Sequence, residues 1–432
     1  MHQDNFSFSL NQITKIEGHA SLDVTVQGKT VTQCRFTITD FKRFYTKAVE
    51  AKPAAAAPSL LARICGTCSN AHILASLKAV EAALGIAVTP LTQVRRELVN
   101  AGMYIRDHAL HLVVFVLPDV YNLDSILDFD ETNPQQRSLL ENLFKLKAAG
   151  NHLSIFAGGR SVHAPDLVVG GFNRPVNSSS IPNLIQELQA ARPLAVQLVD
   201  LFAQVNFTFE RNHRFLALRG ADHYDYLLSR TLKTHDDRLL PDTQYREHLQ
   251  HVVIPHSHAS GYQFEGFDFM VSSLARLNLN QDLLQPRTLK DCAAALKFFP
   301  SVNVYHNNLA QAIEIVDAID YTLTLLAKTQ FVQEAPVKSA RPTGDGIGLI
   351  EAPRGILYHA AHVVDSKIDR YEIIVPTGQN QINIENDLKT LIQNHLDLDQ
   401  LALAHECEKL IRAYDPCMSC ASHFLKFKLH RH

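Results

Sequence analysis

Four of the seven cysteines fall into two CxxC pairs, Cys65/Cys68 and Cys417/Cys420. Two thiolates at this spacing can face one metal, because a tight turn brings both sulfurs to the same side. Soft thiolates select zinc, copper(I), nickel or iron–sulfur clusters over hard cations. Cys68 and Cys417 are 349 positions apart, so the pairs make one tetrathiolate site only if the fold brings them together. Structural zinc usually closes a small local loop, where the metal replaces a missing core. A catalytic metal needs no local loop, and a cuboidal iron–sulfur cluster takes the same number of sulfurs. Spacing alone leaves zinc and a catalytic metal level, with the cluster behind. Cys34, Cys292 and Cys407 have no partner pattern and read as small, partly buried apolar residues.

Composition narrows the setting. At 432 residues and 46% hydrophobic, the chain can bury its own core without a metal clip. A formal net charge of −3 gives no basic field for nucleic acid or an anionic membrane. Apolar runs such as 109–117 are interrupted by His111 and fall short of the roughly 20 residues that span a bilayer. Residues 1–10 lack the basic and apolar regions of a signal peptide. Seven cysteines is too odd and too low a count for a disulfide framework. The expected location is the cytoplasm, with any membrane association coming through partner subunits.

The elements that must position the thiols follow from periodicity. Leu22, Val24 and Val26 alternate before a Gln27-Gly28-Lys29 turn, and Val31, Phe36 and Ile38 resume the pattern, which predicts strands. Ile73, Leu74, Leu77, Val80 and Leu84 are spaced three and four apart ahead of Gly85, which predicts a helix. Further helices are expected over 91–117, 136–156, 184–207, 289–299 and 309–331. Loops rich in Gly, Pro, Asn and Asp cover 158–182 and 338–348, a second β region covers 346–376, and helices close the chain at 384–396 and 398–414. The fold class is mainly α with small peripheral β-sheets, an α+β arrangement. It is read as one intertwined domain over 1–423, with β regions at about 1–45 and 346–376, a helical body at about 60–340 and a tail at 424–432.

The residues flanking the cysteines carry more than the spacing. The first pair sits in Arg63-Ile64-Cys65-Gly66-Thr67-Cys68 with His72 beyond it, the second in Asp415-Pro416-Cys417-Met418-Ser419-Cys420 with His423 beyond it. RxCGxC…H paired with DPCxxCxxH resembles the large subunit of nickel–iron hydrogenases. Further segments agree in the family's order. Ile16-Glu17-Gly18-His19 is similar to its RIEGH element, with Lys15 for arginine, and Asp107-His108 to its aspartate–histidine pair. Gly159-Arg160-Ser161-Val162-His163 followed by Gly170-Gly171 resembles its GRxxHP…GG loop, with Ala164 for proline. Glu351-Ala352-Pro353-Arg354-Gly355 and Val375-Pro376-Thr377 resemble its APRG and diatomic-ligand segments.

The resemblance implies a helical-bundle core and a nickel–iron centre carrying CO and two cyanides. By it, Cys65 and Cys417 would be terminal nickel ligands, and Cys68 and Cys420 would bridge nickel to iron. Arg354 would stand over the open nickel position, with Asp107, Asp415 and Pro353 around it. Arg354 and Thr377 would donate to the cyanides, Leu357 would pack on the CO, and Glu17 would carry the proton away. His72 would tune thiolate basicity by hydrogen bonding. Outside these motifs the same residues read blandly. Glu17 would be solvated beside a strand, Asp107, His108 and His111 a helix face with a satisfied histidine, and Arg354 a surface or salt-bridged arginine.

Two departures from the family stand out. Its third metal, magnesium or iron, is held by a glutamate, a backbone carbonyl and the last histidine. Here Ile373 and His423 are in place, but the RGFE-type motif falls on Arg43-Phe44-Tyr45-Thr46, so Thr46 replaces the glutamate and water or Glu50 would have to serve. The segment after His423 is only Phe424 to His432, either a short peptide removed on maturation or a permanent tail. The expected function is H2 oxidation, proton reduction or both, with electrons passed to an iron–sulfur small subunit and onward to a diaphorase or other acceptor module. A hydrogen-sensing subunit is the alternative, and a structural zinc protein a remote one. The related quinone-reductase subunit loses the cysteines that this chain keeps.

Overall fold

Alternation of apolar and polar residues builds the first sheet. In the computed structural model, which describes residues 5–41 and 44–422, β1 (Phe6–Leu10), β2 (Ala20–Gln27) and β3 (Thr30–Ile38) run antiparallel in that order. Leu22 lies opposite both Leu10 and Phe36. Leu22, Val24 and Val26 are buried while Ser21, Asp23 and Thr25 are half-buried, as a period of two requires.

The body is helical: α1 (Ser69–Leu84), α2 (Pro90–Leu110), α3 (Pro134–Gly158), α4 (Ile181–Ala203) and α5 (His306–Lys328). Capping chemistry sets the ends. Thr89 and Asn133 accept from backbone N–H groups of the first turns of α2 and α3, each of which begins with proline. Gly85 closes α1 in the left-handed conformation. The single helix expected over 91–117 changes pitch. After Leu110 it widens into a π-helical stretch, His111–Val116, before a last turn at Leu117–Val120. The 289–299 helix is also two short pieces, Pro286–Asp291 and Ala293–Leu296, broken at Cys292.

The second β region is a sheet of β4 (Gly344–Ala352), β5 (Gly355–Val364) and β6 (Lys367–Ile374), antiparallel in that order. Ala352 pairs with Gly355, so Pro353 and Arg354 form a two-residue hairpin tip. α1 lies directly on β4. A Cβ at Gly346 would meet Ala79 O at 2.1 Å, and one at Gly348 would meet Ala75 O at 2.0 Å. Glycine at alternate strand positions, facing alanines on the helix, lets the two backbones touch.

The chain closes with α6 (Pro376–Asn394), α7 (Gln400–Ala413) and a turn of helix at Met418–Ala421. α6 starts eight residues before the expected 384, because Pro376 at the first helical position initiates a helix where Pro-Thr-Gly reads as a turn. Small sheets that periodicity did not reveal occupy the stretch between α4 and α5, with strands such as Leu216–Leu218 and Ser260–Phe264. Most buried apolar side chains form one continuous cluster, and Cys65, Cys68, Cys417 and Cys420 belong to it.

Candidate metal centre

The four paired cysteines meet. Cys65 Sγ is 3.5 Å from Cys417 Sγ, Cys68 Sγ is 3.3 Å from Cys420 Sγ, and Cys417 Sγ is 2.8 Å from Cys420 Sγ. All four sulfurs lie within 4.8 Å of one another and are buried. Among the described residues this is the one group of three or more His, Cys, Asp or Glu side chains placed to hold a metal ion. Cys68 occupies the N-cap position of α1 without a side-chain capping bond; hydrogen bonds from Cys417 and Cys420 pull its thiol down, but Cys65 and burial leave it above its ordinary range. Hydrogen bonds from Cys417 and its neighbours pull the Cys65 thiol well down, while burial pushes Cys417 and Cys420 well up. Four sulfurs this close in a dry pocket cannot all be anionic unless a cation sits among them.

Contacts from the two ends of the chain close the site. Met418 N donates to Glu17 O at 2.9 Å, making a parallel bridge between Glu17 and Cys417. Lys15 Nζ and the Arg412 guanidinium share Asp119, and Arg412 also donates to Thr14 O. Glu17 Oε2 comes to 2.9 Å from Cys417 Sγ and accepts from Ser419 N at 3.3 Å. Burial and the nearby Cys65 push the Glu17 carboxyl above its ordinary range. Arg106 holds the first CxxC loop against the 159–163 loop by donating to Thr67 O and, at 2.6 Å, to Ser161 O.

Above the sulfurs stands Arg354. Its Nη1 is 3.1 Å from Asp107 Oδ1 and its Nη2 is 2.9 Å from Asp415 Oδ1. Gln311 Nε2 donates to the other Asp415 oxygen at 2.9 Å. The hairpin tip is itself gripped: Arg276 donates to Ala352 O and Pro353 O at 3.0 Å each, and is paired with Glu314 and Glu351. Arg276, Glu314 and Gln311 were not singled out from the sequence, since isolated polar residues inside helical patterns carry no local signal. His111 is a satisfied interior histidine, bonded to Gln311 and Arg412 O, whereas His108 is bonded to Glu314 through Nε2 and its buried Nδ1 has no partner.

The small cavity over the sulfurs is lined by Pro353, Arg354, Leu357, Pro376, Thr377 and His72 together with Cys68, Cys417 and Cys420. Thr377, in the first turn of α6, accepts from Cys417 N at 2.9 Å. His72 Nε2 is 3.6 Å from Cys420 Sγ, and burial lowers the imidazole to about 4, so it is neutral. Ile373 is buried in β6 opposite His359. Thr46 lies in the short helix Tyr45–Val49, and the Glu50 carboxylate is bonded to Lys47 Nζ at 2.9 Å. His423 and the 424–432 tail lie outside the described residues. Cys34, Cys292 and Cys407 are free thiols, the first half-buried and the others buried.

The model of the nickel-dependent hydrogenase family matches residues 45–142 and 268–423, which include all four paired cysteines. The chain belongs to this family. Its relatives include sulfhydrogenase 1 subunit alpha of Pyrococcus furiosus, 31% identical over 97% of this chain and 98% of the relative. Another is the beta subunit of the NAD-reducing hydrogenase HoxS of Cupriavidus necator, 26% identical over 96% and 94%. Among solved structures, an NAD+-reducing [NiFe]-hydrogenase in the H2-reduced state superposes with a TM-score of 0.87 at 23% identity, covering 98% of this chain and 100% of that one. A nickel–iron–selenium hydrogenase from D. vulgaris Hildenborough gives 0.76 at 20% identity, with 97% and 100% covered. The hydrogenase large-subunit fold explains the mainly helical architecture. Relatives named as alpha, beta or A subunits imply a partner subunit for this chain. No described helix is long and apolar enough to cross a membrane.

The residues present fit a nickel–iron centre. Four soft donors converge, and the two guanidiniums near them, Arg354 and Arg106, are themselves paired with Asp107 and, for Arg354, Asp415. The Arg354 Nε–H is buried without a hydrogen-bond partner, a donor left for a group that the protein does not itself provide.

Proposed function

We propose that this hydrogenase subunit splits H2 heterolytically, or forms it from protons, at a nickel–iron centre with one CO and two cyanides. Cys65 and Cys417 would hold nickel, and Cys68 and Cys420 would bridge nickel and iron. When bound, the centre supplies a Lewis acid that polarises H2 and takes up its electrons. The protein handles the proton: Cys417 Sγ is the first base and Glu17 Oε2, 2.9 Å away, the next acceptor. Its raised pKa brings the carboxyl closer to that of a thiol, so the proton crosses with little loss of driving force. The Arg354 guanidinium stabilises developing charge in a water-poor pocket, and its two carboxylate partners keep it from being an isolated buried cation. Arg354 and Thr377 would donate to the cyanides, and Leu357 would be the apolar contact for the CO.

Electrons leave through an iron–sulfur small subunit, because the paired cysteines of this chain are all committed to one site. Likeness to the NAD-reducing hydrogenase HoxS favours a nicotinamide-linked, diaphorase-type module as the next acceptor. The family's third ion would rest on the Ile373 carbonyl and His423, with water in place of the glutamate that Thr46 replaces.

The contact between Glu17 and Cys417 carries this reading, since a structural metal site has no use for a buried carboxyl on a ligand sulfur. Infrared spectra of the purified complex, with nickel and iron analysis, test it. CO and cyanide bands with both metals are expected; zinc alone, without those bands, would overturn it.

A further inference from the structure

Arg354 reaches toward the sulfurs from a hairpin tip only two residues long, so the backbone of the tip sets where its guanidinium stands. The side chain itself is loosely directed. Its Nε and Nη1 have no hydrogen-bond partner, and Nη1 faces Asp107 as an ion pair only. A second buried arginine holds the tip. Arg276, in the helix Ser273–Asn280, is 1% exposed. Its Nη1 donates to Ala352 O and its Nη2 to Pro353 O, both at 3.0 Å. These are the two carbonyls immediately before Arg354.

The Arg276 guanidinium is fixed in turn. Nε and Nη2 grip Glu314 at 2.7 and 2.8 Å, Nη1 donates to Glu351 Oε2 at 3.0 Å, and Nη2 also reaches Ser273 Oγ at 2.8 Å. Glu351 is anchored by Leu218 N at 2.7 Å and Glu314 by the Tyr224 hydroxyl at 2.8 Å. On the other side of the tip, Gly355 lies against Val271, where a Cβ would come within 2.7 Å. The Asn380 side chain bonds both N and O of Val271. A guanidinium offers five N–H donors in a rigid plane, whereas an ammonium offers three from one point. Only the first can hold two carbonyls and two carboxylates together.

We propose that Arg276 is a positioning residue that sets the height of Arg354 over the metal site by fixing the Ala352 and Pro353 carbonyls. The inference rests on the reading of Arg354 as a donor to the cyanides and a stabiliser of developing charge. Misplacing such a group by about 1 Å can cost on the order of 100-fold in rate.

The test is a double-mutant cycle in the purified holoenzyme complex: wild type, Arg276→Lys, Arg354→Lys and the double variant, with metal analysis, infrared spectra and thermal midpoints. Glu351→Gln gives a second cycle should the Arg276→Lys protein not assemble. There Glu314 still pairs the guanidinium, but an amide whose oxygen accepts from Leu218 N turns a donor toward Nη1. Turnover is read at about pH 8, above the value of about 7 to which burial pushes the Glu351 carboxyl. Arg276→Lys or Glu351→Gln is expected to keep nickel and iron, to displace the cyanide bands more than the CO band, and to lose about 10-fold in turnover. Combined with Arg354→Lys, either is expected to cost nothing further. Losses that multiply in the double variant, or cyanide bands at wild-type positions with only the thermal midpoint lowered, would overturn the proposal alone. CO and cyanide bands missing from the wild type, or wild-type turnover in Arg354→Lys, would overturn the reading of the site instead.

Discussion

Glu17 and Cys417 are joined twice: through their backbones, where Met418 N donates to Glu17 O, and through their side chains, where Oε2 and Sγ stand 2.9 Å apart. The backbone bridge fixes the distance, so the carboxyl reaches the sulfur without a flexible loop. Glu17→Gln keeps the shape and the hydrogen bond from Ser419 N but cannot accept a proton. Turnover in H2 oxidation is expected to fall by about 100-fold or more, with nickel and iron retained. Wild-type turnover with full metal content would remove Glu17 from the proton route.

Arg354→Lys tests the guanidinium. One ammonium cannot span Asp107 and Asp415 as the two Nη atoms do. The variant is expected to fold and keep its metals while losing roughly 100-fold in turnover. Unchanged turnover would show that the cation has no part in the chemistry.

Cys420→Ser removes the sulfur that approaches Cys68, Cys417 and His72 together. Loss of H2 oxidation and of metal from the purified protein is expected, because an oxygen ligand is harder and shorter than a thiolate. Full turnover in this variant would sink the ligand assignment.

Asp317 offers a measurement away from the metal. Burial, with Asp320 and Glu314 nearby, pushes its carboxyl up to about 7, while its Oδ1 accepts from Gln285 N at 2.7 Å. An unfolded aspartate ionises near 4. Between about 4 and 7 the unfolded chain therefore loses a proton that the folded chain keeps, and stability falls as pH rises through that window. Asp317→Asn is expected to flatten the fall in thermal midpoint between pH 5 and 8 and to raise the midpoint at pH 8. Parallel curves for the two proteins would contradict it.

Gly348→Ala places a methyl group 2.0 Å from Ala75 O. The obstacle is helix backbone, so nothing can rotate away. A loss of about 1–3 kcal/mol is expected from denaturant unfolding, with reduced metal retention because α1 carries Cys68 at its start. An unchanged unfolding midpoint would mean that the strand and helix separate freely.

Much of the centre was legible because its chemistry comes in short segments: each ligand pair sits within four residues, and Glu17, Arg354 and Thr377 lie inside compact motifs. The supporting shell was not. Arg276 meets Glu351 across 75 positions, and His72 meets His359 across 287; such pairs leave no periodic trace in either segment. Helix positions were visible from apolar spacing, but the π-helical stretch at His111 was not, since the partners of that ring, Gln311 and Arg412, lie 200 and 301 positions away. The strands between α4 and α5 escaped because several are only three to five residues long, too short for alternation to register.

Cys65 and Cys417 touch across 352 positions of chain. During synthesis the first thiol pair is made long before the second exists, and the pocket acquires its last wall only when Met418–Ala421 docks beside Glu17. That closing segment is four residues long, yet Met418, Cys420 and Ala421 are all buried in the main core, so it cannot leave without opening that core. The centre and the core therefore close together, and release of metal on heating would coincide with the loss of helical signal.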